Sequence, residues 1–247
     1  MIKIENVSIA GWEPAIRGMR NPMNSWEKSD SWFWDCIDMN GKDFFHNING
    51  ETKSIDMYKE SELLEDFVDQ YKVIVGQDDL DLMQRLAAGG SVHAKYRRMI
   101  AVYLDITAPL YWWKEADTYK VGTVANSCST MHKIHSKEFA LDDFSTDHLL
   151  EDEAMEFTRH LVKGLNFYRK RFLETKDKKY WWQMIQLLPS SYNQRRTLML
   201  NYEVLSHMYF DRKDHKLTEW REFCGWIETL PFAKVLICNV EKGGETE

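Results

Sequence analysis

Along residues 2–10, IKIENVSIA, apolar and polar positions alternate and β-branched side chains recur, the two-residue period of a strand. EPAIRGMRN (13–21) changes to helical spacing and is stopped by Pro22. FFHNINGETKSIDMY predicts two extended pieces joined by a turn at Asn49-Gly50. Helical spacing dominates Glu60 to Tyr71 and Asp78 to Ala88, the second segment capped by Asp78 or Asp79 and ended by Gly89-Gly90. MIAVYLDITAPLYW (99–112) is the clearest strand, closed by Pro109. Asp142-Asp143 open a long helical region reaching about Thr175, where MEFTRHLVKGLNFYRKRFL keeps an apolar stripe under a basic outer face. One further helix ends near Pro189, and another runs from Leu198 to Phe210 and continues into KLTEWREFCGWIETL. The elements predict an α+β fold: a mixed or antiparallel sheet flanked by long helices, helix-rich in its second half. It forms a single domain over 1–247, with an acidic tail from about 240.

One stretch obeys neither period. YKVGTVANSCSTMHKIH (119–135) follows Tyr111-Trp112-Trp113 with short hydroxyl and amide side chains where a core element would be apolar. Such side chains hydrogen-bond a planar ligand closely and leave it room, so the stretch is expected to line a nucleotide- or flavin-sized pocket.

Composition narrows the picture. With 44% hydrophobic residues, 10 Trp and 12 Phe, the 247-residue chain can bury a large core. The net charge of −7 argues against nucleic acid held by a general positive field. Cys36, Cys128, Cys224 and Cys238 form no CxxC pair, which argues against structural zinc and for a reducing compartment. No segment is apolar long enough to span a bilayer, so no membrane partner and a cytoplasmic location are expected.

Two separated stretches together resemble the flavin-dependent thymidylate synthase family, the ThyX type, whose signature is RHRxxSxNExSxRY. The strand ends at Pro109, Lys114-Glu115-Ala116 stands in the place of the family's Arg-Gln-Trp, and Thr118-Tyr119-Lys120 in that of Arg-His-Arg. Thr123 falls on the first Ser; with one residue inserted near Ala125, Asn126 matches the Asn and Ser129 the second Ser. The second stretch keeps its spacing: Leu188-Pro189, then Asn201-Tyr202-Glu203-Val204-Leu205 for Asn-x-Arg-x-Leu, then Arg212. Arg17-Gly18-Met19-Arg20 is similar to the Arg-Ala-Ala-Arg after the family's first strand.

The resemblance implies FAD as cofactor, methylenetetrahydrofolate and NADPH as co-substrates, a dUMP-like pyrimidine nucleotide as ligand, and a homotetramer whose sites combine several subunits. It implies catalytic positions at Thr123 and Ser129. Cofactor contacts are implied at Thr118, Tyr119, Lys120, Asn126, Asn201 and His207, and substrate contacts at Arg212, Arg195, Lys114 and Glu115. The signature is degenerate. Two arginines and a histidine have become Thr118, Tyr119 and Lys120, Glu203 replaces an Arg, and Thr130 or Met131 replaces the closing Arg. The Glu expected after the Asn is Ser127 with the insertion, or Asn126 without it. Loss of guanidinium groups weakens phosphate capture. The expected function is therefore a divergent flavin-dependent enzyme acting on a pyrimidine nucleotide or related substrate, by reduction or one-carbon (methyl) transfer. A non-catalytic nucleotide- or flavin-binding relative is the alternative.

Other features have plainer readings. Arg212 taken alone is a helix-end arginine, Lys120 a loop lysine, and Arg17 and Arg20 surface-pairing residues as readily as phosphate ligands. Arg195-Arg196, placed at a helix N-turn, are electrostatically misplaced there, which favours a phosphate pocket. Cys128 beside His132 reads as structural rather than nucleophilic. His132 and His135 lack a third ligand, so no metal is expected. Trp112, Trp113, Trp181 and Trp182 read as core or subunit interface.

Overall fold

The alternation at the N-terminus becomes β1, Lys3–Ala10, in the computed structural model, which describes residues 2–37, 42–55 and 72–239. Gly11 then turns with φ +95°; a Cβ there would lie 2.0 Å from the Met99 carbonyl oxygen, so the entry to helix α1, Trp12–Arg20, requires glycine. The long central strand is β6, Ala101–Pro109, and Leu110 begins helix α3, Leu110–Ala116, one residue after Pro109 ends the ladder. A small antiparallel sheet lies between α1 and helix α2, Gln77–Ala88, in the order β4-β3-β2-β5: Thr52–Ile55, Asp43–His46, Trp32–Ile37 and Val73–Ile74. The turn at Asn49-Gly50 joins β3 to β4, as the sequence predicts. The helix expected over Glu60 to Tyr71 and the acidic tail fall outside the described residues.

Three expectations are corrected. The helix read from Leu198 is instead strand β8, Asn193–Asn201, followed directly by helix α6, Tyr202–Arg212. β8 pairs along its whole length with β6, from Ala101↔Asn201 to Pro109↔Asn193. That ladder overrides the helical propensity of Leu198-Met199-Leu200 and turns Arg195-Arg196 into strand residues with opposite facing. The helix placed at Asp142-Asp143 also starts later. Leu141–Asp143 is a single 3-10 turn, closed by the Asp143 carboxylate accepting from Ala140 N at 2.9 Å. Helix α4 begins at Asp152 and runs to Thr175. Asp78 and Asp79 do not cap α2 themselves; the Asp30 carboxylate accepts from both of their backbone N–H groups, at 2.9 and 3.1 Å.

The main sheet has the order β1-β6-β8-β7, with β7 spanning Val124–Ser127, and every pairing in it is antiparallel. One face is polar. The other packs on α1, α3, α6 and helix α7, Thr218–Ile227, with Trp112, Trp113, Trp220, Tyr202, Phe223 and Leu104 among its fully buried side chains. Helices α4 and α5, Lys178–Leu187, pack on each other over a separate cluster holding Leu165, Met184 and Phe144. Within the main core Arg20 is buried against Asp79 at 2.6 Å, and the same carboxylate accepts from Ser29, Asp30 and Ser31. A buried charge pair of this kind is held by several donors rather than by one contact.

Candidate functional site

Alternation along β8 decides what meets beneath α3. Gln194, Arg196, Leu198 and Leu200 point toward the helices, whereas Arg195, Thr197 and Met199 point to the polar face. Between the inward row and α3 lies a cavity of about 400 Å³. Its floor is apolar, formed by Trp112, Trp113, Leu198, Leu200, Met208 and Phe223. Its rim is polar, carrying Asp117, Tyr119, Lys120, Thr123 and Arg196. An apolar slot with a few polar groups at one edge is the usual make-up of a small-molecule site.

Arg196 is held on every side. Its Nε donates to Gln194 Oε1 at 3.0 Å, Nη1 and Nη2 donate to the two Asp117 oxygens at 2.6 and 3.4 Å, and the guanidinium lies 4.2 Å from the Trp113 ring centroid. This is the fork geometry in which a guanidinium binds a carboxylate or a phosphate, here filled by a carboxylate of the chain itself.

Arg212 is engaged in the same way a short distance off. It donates to Glu115 at 2.7 Å and to the Tyr119 hydroxyl at 2.9 Å, and lies 4.8 Å from the Trp220 ring centroid. Glu115 also accepts from Trp220 Nε1 at 3.0 Å and lies 3.4 Å from His215 Nε2. Burial pushes the Tyr119 hydroxyl above its ordinary range, opposed by the bond and charge of Arg212. Glu115 is thus a hub joining α3, α6 and α7, and α6 delivers Arg212 to it from its last turn.

Thr123 donates to the Tyr119 carbonyl at 2.6 Å, so Tyr119 bonds Thr123 through its backbone and Arg212 through its ring hydroxyl. The loop and the last turn of the late helix are therefore joined through Tyr119, which lines the cavity while Arg212 lies outside its lining. Lys120 is exposed at the cavity mouth. Thr118 closes the end of α3 by donating to the Glu115 carbonyl at 2.7 Å. Asn201 caps α6: its Oδ1 accepts from Val204 N at 3.0 Å, while Nδ2 reaches the Gly122 carbonyl at 3.3 Å. Gly122 has φ +77°, and a Cβ there would lie 2.7 Å from Asn201 Nδ2, so the loop is pinned to the cap.

Other residues singled out in the sequence lie elsewhere. Asn126 is exposed on the edge strand β7, Ser129 accepts from Met131 N and His132 N in a local turn, and His207 is exposed on α6. Lys114 is exposed on α3, outside the cavity lining. Arg195 bonds Asp105 at 2.6 Å on the far face of the sheet. Glu203, where the family has Arg, is buried with Arg98 at 3.2 Å and Arg97 at 3.8 Å, so the replaced charge has cationic partners. Arg17 pairs with Glu13 on the surface at 2.7 Å. Cys128 is exposed beyond β7, where its backbone continues the ladder to Arg195. Among the described residues no group of three or more His, Cys, Asp or Glu could hold a metal, and no helix is long and apolar enough to cross a membrane.

Sequence reasoning missed Asp117, and it grouped Arg196 with Arg195 instead of separating them. Only the strand parity of β8 divides the two arginines, and that parity was hidden by the helical reading. Nothing local marks Asp117, because its partner is 79 residues away.

The fold defines a class: an antiparallel sheet covered on one face by helices, with a cavity between the sheet and the helix after its central strand. Solved structures share this architecture. The flavin-dependent thymidylate synthase ThyX from Helicobacter pylori, complexed with FAD and dUMP, superposes with a TM-score of 0.58 over 96% of this chain and 99% of that one, at 14% identity. A second structure of Thymidylate Synthase X from Helicobacter pylori, with FAD and dUMP, gives 0.59 over 96% and 97%, at 13% identity. No family model matches the sequence, and no curated protein matches it. The fold is that of the ThyX flavin-dependent thymidylate synthases.

Proposed function

We propose that the chain is a divergent flavin-dependent enzyme acting on a pyrimidine nucleotide or a related flat, phosphorylated substrate, and that the cavity beneath α3 is its nucleotide subsite. The observation that carries this reading is the polar rim of Tyr119, Lys120, Thr123 and Arg196 over an apolar slot of about 400 Å³, with Tyr119 tied to Arg212 of α6 just outside the lining. In this reading the Trp112, Leu198 and Phe223 side chains exclude water around the ring, and the Lys120 ammonium takes the phosphoryl group as a point charge.

FAD, named with both neighbours, meets a poor fit in this cavity. Its two phosphoryl groups call for more than one cation, yet Arg196 is committed to Asp117, leaving Lys120 as the lining cation without a carboxylate partner among the described residues. Purified protein that takes up FAD, with flavin absorbance and a raised Tm, supports the flavin-dependent reading; colourless protein with no FAD-induced shift removes it.

A second reading, a relative that binds a nucleotide without turnover, is favoured by one observation: Arg196 at the rim and Arg212 beyond it are neutralised by the chain's own Asp117 and Glu115. Release of tritium from 5-labelled dUMP in the presence of reduced flavin and methylenetetrahydrofolate separates the two. The enzyme releases it, and the binding protein does not.

A further inference from the structure

We propose that Asp117 is a specificity-determining residue, which fits the cavity to a ligand carrying one phosphoryl group and disfavours di- and triphosphates. The inference rests on reading the cavity as a nucleotide subsite.

Arg196 has no free side: Gln194 takes Nε, Asp117 takes both terminal nitrogens, and Trp113 covers one face. Its side chain is only 12% exposed while that of Asp117 is 55% exposed, so the carboxylate stands between the guanidinium and solvent. A phosphoryl group reaching this edge meets one of two situations. With Asp117 in place, the fork it needs is filled. With Asp117 displaced, a like charge remains beside it, which costs affinity. A single phosphoryl group avoids both by settling on Lys120, whose ammonium has no such competitor among the described residues. Lys120 and Arg196 are the cations among the lining residues, so a second or third phosphoryl group finds no other on this rim; Arg212, outside the lining, is engaged by Glu115 and Tyr119. The device is one of selectivity: the acid on the chain imitates the charge it excludes.

The test is isothermal titration of the full-length protein with deoxyuridine, dUMP, dUDP and dUTP, and in parallel with FMN and FAD. Wild type is expected to bind dUMP at least tenfold more tightly than dUTP. D117A is expected to raise dUTP affinity at least tenfold while changing dUMP less than threefold. D117N, which keeps the shape without the charge, should move in the same direction. K120A should lower dUMP affinity about tenfold and leave deoxyuridine unchanged. Because Asp117 is exposed, thermal midpoints of the variants near wild type certify that the fold is intact, and the dUTP-to-dUMP ratio is a readout that a purely structural role would not move. Wild-type dUTP binding equal to dUMP overturns the inference, as does an unchanged ratio in both folded Asp117 variants; the nucleotide reading then stands. If neither a uridine nucleotide nor a flavin binds, that reading falls as well. The flavin arm identifies the ring: FMN over FAD with no dUMP binding assigns the singly phosphorylated guest to a flavin, and the Asp117 ratio is then read on that pair.

Discussion

At the scale of single residues, the candidate ligand stretch owes its composition to two duties that coincide. Thr118, Thr123 and Ser129 each spend a hydroxyl on nearby backbone, which lets a loop with little apolar content hold one shape. Asn201 does the same across the chain, capping α6 and holding Gly122. Asn201→Ala removes both bonds and is expected to cost about 1 kcal/mol, the usual worth of an N-cap. A urea titration should show the midpoint falling with the slope unchanged. These residues were visible in the sequence as a polar run, and the resemblance named Asn201, but which hydroxyls face backbone and which face the cavity was not legible. That choice depends on partners up to 79 residues away.

At the scale of elements, β1, β6, α1 and α2 were legible because each carries its own period and its own stop, such as Pro109 and Gly89. β8 was not. Its apolar run is too short to separate strand from helix, and only the ladder to β6 decides it. The same ladder builds a charged patch on the polar face, where Asp105 accepts from Thr197 at 2.5 Å, Arg195 at 2.6 Å and Asn6 at 2.7 Å. The bond from Thr197, then those from Arg195 and Asn6, hold the Asp105 carboxyl well below the usual carboxylate range. The native value lies under the unfolded one of about 3.9, so the unfolded chain takes up the proton first. The stabilisation is present at neutral pH and is lost as pH falls through that value toward the native one. Asp105→Asn should accordingly flatten the fall in urea midpoint between pH 5 and pH 2.5, while wild type keeps the steeper slope.

At the scale of the whole molecule, side chains of β1 and of the segment Leu236–Ile237 meet in one core while α4 and α5 stand on a second cluster of their own. Phe157 and Phe167 on α4 are 75% and 59% exposed, and Trp182 on α5 is 49% exposed. Exposed aromatic side chains mark a contact surface where they form one patch, and we propose that a second copy of this chain, as in the homotetramer that the resemblance implies, covers these. Light scattering after size exclusion should give a mass above that of one chain, and Phe167→Glu with Trp182→Glu should reduce it. A monomeric wild type would remove the assembly while leaving the fold untouched.

Trp113 lies directly under Arg196, with Trp112 and Trp220 packed behind it. A guest that enters the slot must approach the indole cluster, and one that pulls Arg196 aside strips the charge from the Trp113 face. Intrinsic emission should then shift in colour or intensity as the slot fills, so the molecule carries an optical gauge of its own occupancy that needs no label.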